Sequence, residues 1–573
     1  MLLGCANRGI GPQGGPKDSI PPVPLRSDPE VGAVDFHGNR IEVTFDEYIQ
    51  LDNLAANLLM SPPQQNPPDV KARGKKLIVQ FQDSLRDSTT YTIDFGDAVC
   101  DFREKVPLHG YSFYFSTGSE IDTLETRGRV YDAENLNPLS GVLVGIHNAG
   151  SDADSAFVHS PFLRIAKTDS AGYFRIGNVH QGIYRLYGVD DISRDYRLTV
   201  GEALAFSDSA IMVAPPVRDT TDTLPAKETQ LATLFLFKEQ QQKLFLQRTL
   251  REQQHRIQIF FSSSPDSLPV LRPLCDSLHF HPQYSSRGDT VTLWLTDSAS
   301  IRHDSLFIEA RYRRTDSLFN LEWCTDTLRA IWRAPRMTAK QREAQEREIR
   351  NRRLELKTNA RNGFEIYDTL RITCTTPLDS VNVAALHVYE RVDTIRRPVP
   401  FVLAPYDSLT MTLKVLAAFQ AGKSYELHLD SAALHDVYGF THIGVVYPMQ
   451  VKKIEDYSTL RVFLKPFEPG ARIQLLNTKD QVQAELPATE DGAFFRYLKP
   501  DTYYLRLYLD VNGDGKWTTG SWENKRQPEP VYYFPESIQT KSNWDFEQEW
   551  DYTAVPQTKA KPAVLIKAAP KKK

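Results

Sequence analysis

The stretch "LDVNGDGKW" is the sharpest local motif in this 573-residue chain. Asp510, Asn512, Asp514 and Gly515 stand at positions 1, 3, 5 and 6 of the pattern D-x-[DN]-x-[DN]-G. In that pattern alternate oxygens converge on one calcium ion, and glycine permits the sharp turn. The backbone carbonyl of Lys516 would serve at position 7. Position 12, where a chelating Glu closes such a cage, is Ser521, and the nearest acid is Glu523. Asn-Gly and Asp-Gly are also favoured hairpin dipeptides, so a metal-free turn is the competing reading. An earlier stretch, "DDISRDYR", repeats the spacing with Asp191, Ser193 and Asp195 but has Tyr196 where the glycine belongs. Calcium is thus the one cofactor suggested.

Other chemistry is sparse. "HFH" puts His279 and His281 on one face of an expected strand with Cys275 nearby, but no third ligand follows at a workable spacing. The five cysteines, Cys5, Cys100, Cys275, Cys324 and Cys374, form no CxxC pair and no disulfide framework, and isolated thiols are expected. No G-x-S-x-G elbow, H-E-x-x-H, phosphate loop or dinucleotide fingerprint occurs. Aspartates fall mostly in "DS", "DT" and "TD" turns, where they accept local backbone hydrogen bonds. The chain is expected to be non-enzymatic.

The elements around these residues are strands. Short runs rich in Thr, Val, Tyr and Phe alternate apolar with polar residues between Pro, Gly, Asn and Asp, as half-buried strands must. The segments 40–45 and 91–95 are examples. A net charge of -4, with 24% charged residues, gives no overall basicity for nucleic acid. No run of about 18 apolar residues is present, so no membrane-spanning helix is expected. The length suits about four to six domains.

Several segments resemble known families. The "VTFDE" strand, "TTYTIDFGDAVCDF" and "FYFSTG" within 20–118 look like the bacterial Ig-like domain of the S-layer (SbsA) type. That resemblance implies an Ig-like sandwich and an extracytoplasmic setting. Residues 361–450 repeat the plan, "DTLRITCTTPLD" answering "NRIEVTFDEYI", and 229–335 is a weaker third copy. Residues 124–210, with "PLSGV", "DSAGYF" and "QGIY", resemble the carboxypeptidase-regulatory, transthyretin-like sandwich, and 455–550 repeats it through "EDGAFFRYLKPDTYYLRLYLD". The fold class expected is all-β, tandem sandwiches forming a rod, with one charged helical linker at 336–360 and a basic, disordered tail at 551–573.

"LLGC" resembles the lipobox of bacterial lipoproteins, in which Cys5 would be acylated after cleavage behind Gly4. A Gly/Pro/Asn-rich tether follows to residue 19, but only Met1, Leu2 and Leu3 precede the glycine where an export signal needs about 7–15 apolar residues. A misplaced start codon or a truncated sequence is suspected. The expectation is a lipid-anchored outer-membrane protein, structural or adhesive, whose partners are the bilayer through Cys5 and an envelope protein or glycan, not nucleic acid. The alternative is a glycan-binding component of a polysaccharide-handling system, with Trp517, Trp522 and Trp544 stacking on sugar rings.

Overall fold

The computed structural model describes residues 19–150, 152–215, 231–239, 243–274, 278–316, 320–333, 338–405 and 411–567. They form the expected all-β chain of sandwiches. The strand Arg40–Phe45 shows how: Ile41, Val43 and Phe45 are buried while the residues between them face outward. Period-two side-chain alternation therefore turns a half-apolar sequence directly into one wall of a core.

Strand order recurs along the chain. In the first module Pro24–Asp28, Arg40–Phe45, Lys76–Gln80 and Asp69–Arg73 lie side by side, facing a sheet of Leu59–Ser61, Thr90–Gly96 and Tyr111–Ser116. The third module has the same order, with Leu246–Gln253, Arg256–Phe261, Thr290–Leu295 and Phe280–Tyr284 against Val270–Pro273, Ser305–Thr315 and Leu321–Ile331. The fourth repeats it again, from Leu356–Thr358 to Val445–Val451. The first and fourth modules also share a two-stranded ribbon, Ile49–Leu51 with Val99–Asp101 and Leu378–Val381 with Leu434–Asp436.

The second and fifth modules share a different plan. Leu124–Asp132 pairs with Tyr173–Val179 on one side and, in parallel, with Ala232–Leu236 on the other. Ser458–Lys465 likewise pairs with Ala493–Leu498 and, in parallel, with Asp545–Asp551. The boundary expected at 210 is therefore corrected: Ala232–Leu236, assigned from sequence to the third module, completes the second. The intervening segment 216–230 lies outside the described residues.

The expected linker helix spans Ala339–Asn351. It starts with a capping box, Thr338 Oγ1 accepting from Gln341 N at 3.3 Å and Gln341 Oε1 from Thr338 N at 2.9 Å. Arg347 pairs with Glu343 at 2.7 Å, an i, i+4 contact on the helix surface.

Two expectations fail. The tail is not disordered over 551–567: Gln557–Lys559 and Ala563–Leu565 form 3-10 turns, and Leu565 is buried in a cluster with Tyr504, Tyr508 and Tyr533. Lys561 is buried against Asp480 at 2.8 Å and also bonds Asn135 O and Asn137 Oδ1 of the second module. Composition suggested a solvated tail because lysine is normally exposed, but a paired lysine can be interred. Nor do the modules string out into a rod, because the fifth folds back onto the second.

Candidate functional site

The loop that drew attention in the sequence is a self-satisfied turn. Asp510 Oδ1 accepts from the backbone N–H of Gly513 at 2.8 Å and Asp514 at 3.1 Å, and Oδ2 from Gly515 at 2.8 Å. Asn512 Oδ1 accepts from Asp514 N at 2.9 Å, and Asp514 Oδ1 from Lys516 N at 2.8 Å. The bond from Lys516 N holds the exposed Asp514 carboxyl below the ordinary carboxylate range. Gly513 and Gly515 take φ of 72° and 75°, the left-handed region that glycine enters without a Cβ penalty. Among the described residues no three His, Cys, Asp or Glu side chains are disposed to hold a metal ion.

Sequence reasoning missed the residue that organises this loop. Glu529, buried, accepts from Val511 N at 2.9 Å and Thr518 N at 2.8 Å. In the second module Glu202, also buried, accepts from Ile192 N and Ser193 N, each at 2.9 Å, and from Thr199 N at 3.1 Å. Both loops therefore fold around a glutamate carboxylate. The first could have been found: Glu202 stands at position 12 counted from Asp191. The second arrives from farther along the chain. Tyr196, where glycine was missing, adopts φ of 59° all the same, and its ring packs beside the cluster containing Phe157, Phe162 and Tyr187.

The loop aims aromatic side chains at the neighbouring module. Trp517 donates Nε1–H to Glu529 O at 2.9 Å and packs between the two aromatic clusters. Trp522 meets Phe157, Phe206 and Tyr187 of the second module edge-on, with ring centroids 5.0, 5.4 and 6.0 Å away. Its backbone N–H donates to Glu239 Oε1 at 2.6 Å, and Thr519 Oγ1 donates to Lys238 O at 3.0 Å. A Cβ on Gly520 would stand 2.5 Å from the Phe237 ring, so only glycine lets the chains approach this closely. Leu136 of the second module is inserted among Leu476, Tyr508 and Val531 of the fifth. Full burial of one such side chain is worth about 2 kcal/mol.

Of the three tryptophans expected on a sugar platform, Trp517 and Trp522 thus lie in this joint. Trp544 is 56% exposed and stacks on Phe546. Beneath the joint His147 is buried between Phe162 and Tyr187, and desolvation pushes its imidazole down to about 4. Among the described residues its Nε2 has no hydrogen-bond partner. His279 lies 4.0 Å from Asp297, and Cys5 and Cys275 fall outside the described residues. Cys100 and Cys324 are free cysteines among the described residues.

A second joint links the fourth and fifth modules. Glu365, buried, accepts from Tyr457 OH at 2.7 Å, Lys499 Nζ at 2.8 Å and Lys452 Nζ at 3.0 Å. Burial pushes this carboxyl up, but the three donors outweigh it and hold it at about 2. The third and fourth modules meet where His255 lies edge-on to Tyr438, at 5.0 Å between centroids.

Comparison with known proteins gives one family. Residues 18–117 match the bacterial Ig-like domain. The match covers the first module. No curated protein matches the chain. Among solved structures, the N-terminal part of the bacterial S-layer protein SbsC is 11% identical, covering 30% of this chain and 44% of its own, with a TM-score of 0.17. The present chain thus spans less than half of that fragment. The Bacillus anthracis TIE protein is 10% identical, covering 94% and 76%, with a TM-score of 0.15. The major pilin subunit BcpA of Bacillus cereus is 9% identical, covering 74% and 98%, with a TM-score of 0.12.

Proposed function

We propose that this chain is a non-enzymatic scaffold of a bacterial cell envelope, anchored in the outer membrane through a lipid on Cys5. The observation that carries the scaffold reading is the joint between the second and fifth modules. Buried Glu202 and Glu529 fix two loops, the loops fix Trp517 and Trp522, and the tryptophans and Lys561 lock modules that are remote in sequence. Groups that could have served chemistry are spent on shape. A rigid assembly of this kind presents exposed loops and sheet faces to an envelope protein or glycan at a fixed geometry.

The bacterial Ig-like match of the first module and the position of Cys5 after Leu2, Leu3 and Gly4 support the envelope setting. Calcium at Asp510, Asn512, Asp514 and the Lys516 carbonyl would use the lone pairs left on carboxylates that already accept backbone N–H bonds. The glycan alternative keeps Trp544 but loses the other two rings to the joint, which favours the scaffold. Metabolic labelling with palmitate and fractionation of the native host test the anchor. Label in the outer-membrane fraction, abolished by Cys5→Ser, is expected; an unlabelled, freely soluble protein would overturn it.

A further inference from the structure

One end of the first module presents aromatic rings to water. Tyr48 and Phe102 are 63 and 62% exposed, and Phe102 N donates to Tyr48 O at 2.9 Å, which holds the two side by side. With Ile49, Leu51, Ala72 and Gly74 they line an open recess of about 600 Å³. An apolar patch of this kind on a folded module marks a contact.

The fourth module shows the same end of the fold when it is covered. Asp436 closes the turn there as Asp101 does here, and Tyr438 from that turn lies edge-on to His255 of the third module. This is the end at which a sandwich of this plan meets what precedes it. Ahead of the first module runs the segment that carries Cys5.

The chain also enters the first module at this end. Val23 N donates to Asp46 Oδ1 at 2.8 Å, Asp46 N donates to Val23 O at 3.0 Å, and Lys75 Nζ donates to Asp46 O at 2.7 Å. It leaves at the other end, because the strand Tyr111–Ser116 starts with Tyr111 against Phe45 and finishes with Phe115 against Phe36 and Phe81. Thirteen residues lie between Cys5 and Ser19, so a lipid on Cys5 holds Ser19 within about 45 Å of the membrane.

We propose that this end of the first module docks on the lipid bilayer that holds Cys5, with Tyr48 and Phe102 seated at the depth of the headgroups. Aromatic rings favour that layer, where one part of the ring is apolar and the other wet. The local charges are balanced: Arg73, Lys75, Arg103 and Lys105 stand with Asp46, Glu47, Asp52 and Glu104, while Lys71 and Lys76 are paired with Asp69 and Glu42. The contact is therefore made by the rings and not by a basic patch, and it needs no anionic lipid. Two rings bind weakly alone, but a tether keeps the bilayer at high effective concentration. The proposal rests on the anchored reading and gives the anchored chain an orientation.

The test uses the full chain with Cys5→Ser, held on vesicles of brominated phosphatidylcholine and a nickel-chelating lipid through an amino-terminal histidine tag. Phe102→Trp is the reporter, since bromine quenches only a tryptophan that reaches the bilayer. Its added emission is expected to be quenched equally in low and high salt, and adding Tyr48→Ser should weaken the contact by about 10-fold. Trp323 and Trp544, 53 and 56% exposed on other modules, are already present in the unsubstituted chain and serve as the control. A reporter quenched no more than the chain without it, quenching lost in salt, or quenching of the control itself would overturn the proposal. Palmitate on Cys5 without quenching would leave the anchor and remove this contact; quenching without palmitate in the host would keep the membrane-facing end and remove the anchor.

Discussion

Replacing Glu365 by Gln should loosen the joint between the fourth and fifth modules in a way that depends on pH. The carboxylate is 6% exposed and receives three donors, Tyr457, Lys499 and Lys452. Its ordinary value of 4.5 is lowered to about 2. At ~1.4 kcal/mol for each tenfold change in proton affinity, the ionised form contributes about 3 kcal/mol. The sign follows from the depression: the contribution is complete above about 4.5 and is lost as pH falls towards 2. Glutamine keeps the shape and can still accept from Tyr457, but it removes the charge. Lys452 and Lys499, 28 and 54% exposed, can turn to water, so no stranded buried cation adds to the loss. Because a chain of several modules need not unfold in one step, the probe should sit at the joint. The Ile366 amide donates to Tyr457 OH at 3.2 Å, and its hydrogen exchange reports local opening. E365Q should speed that exchange by about 100-fold at pH 7, and the difference should nearly vanish by pH 2 once intrinsic exchange rates are corrected for. Equal protection in both proteins at neutral pH, or a gap that persists in acid, would refute the reasoning.

Gly520→Val should open the joint between the second and fifth modules, since its Cβ would lie 2.5 Å from Phe237; a red-shifted tryptophan emission and a larger radius of gyration by X-ray scattering are expected, and an unchanged radius would count against it. Lys561→Met should cost about 3–5 kcal/mol by leaving Asp480 buried without its cation, and K561M/D480N should recover much of that in denaturant melts; additive losses would show that the pair is not coupled. Glu529→Gln should lower the stability of the fifth module by about 1–3 kcal/mol through the N–H bonds it weakens. Millimolar calcium should leave the wild-type melting temperature unchanged, and a rise abolished by Asp510→Asn would return this loop to the metal.

What could be read in advance was what repeats with a short period. Alternation in Arg40–Phe45 and its counterparts placed the core, and the dipeptides "NG" and "DG" placed a turn whose glycines do adopt left-handed φ. Pairings across long gaps were not legible. The strand Ala232–Leu236 joins its sheet after a crossover from Val213, and no local pattern states which neighbour a strand will take. Lys561 shows the same limit for charge: its composition reads as solvent, and only Asp480 and Asn137, distant in sequence, make a buried lysine tolerable.

The repeated modules show where that limit falls. In the first module Asp101 accepts from the N–H of Arg103, Glu104 and Val106, and Phe102 N donates to Tyr48 O. In the fourth, Asp436 accepts from Tyr438 and Phe440, and Val437 N donates to Pro377 O. The backbone solution is one and the same, because a buried aspartate closing a turn restrains which residue stands there and little around it. The outward residues have diverged. Tyr48 and Phe102 are 63 and 62% exposed, whereas Tyr438 in the fourth module packs on His255 of the third. Duplication therefore transmits the hydrogen-bonded frame, and the contacts that decide how modules meet are written afterwards in side chains that the frame leaves free. Assembly, not fold, is the property that distinguishes one copy from the next.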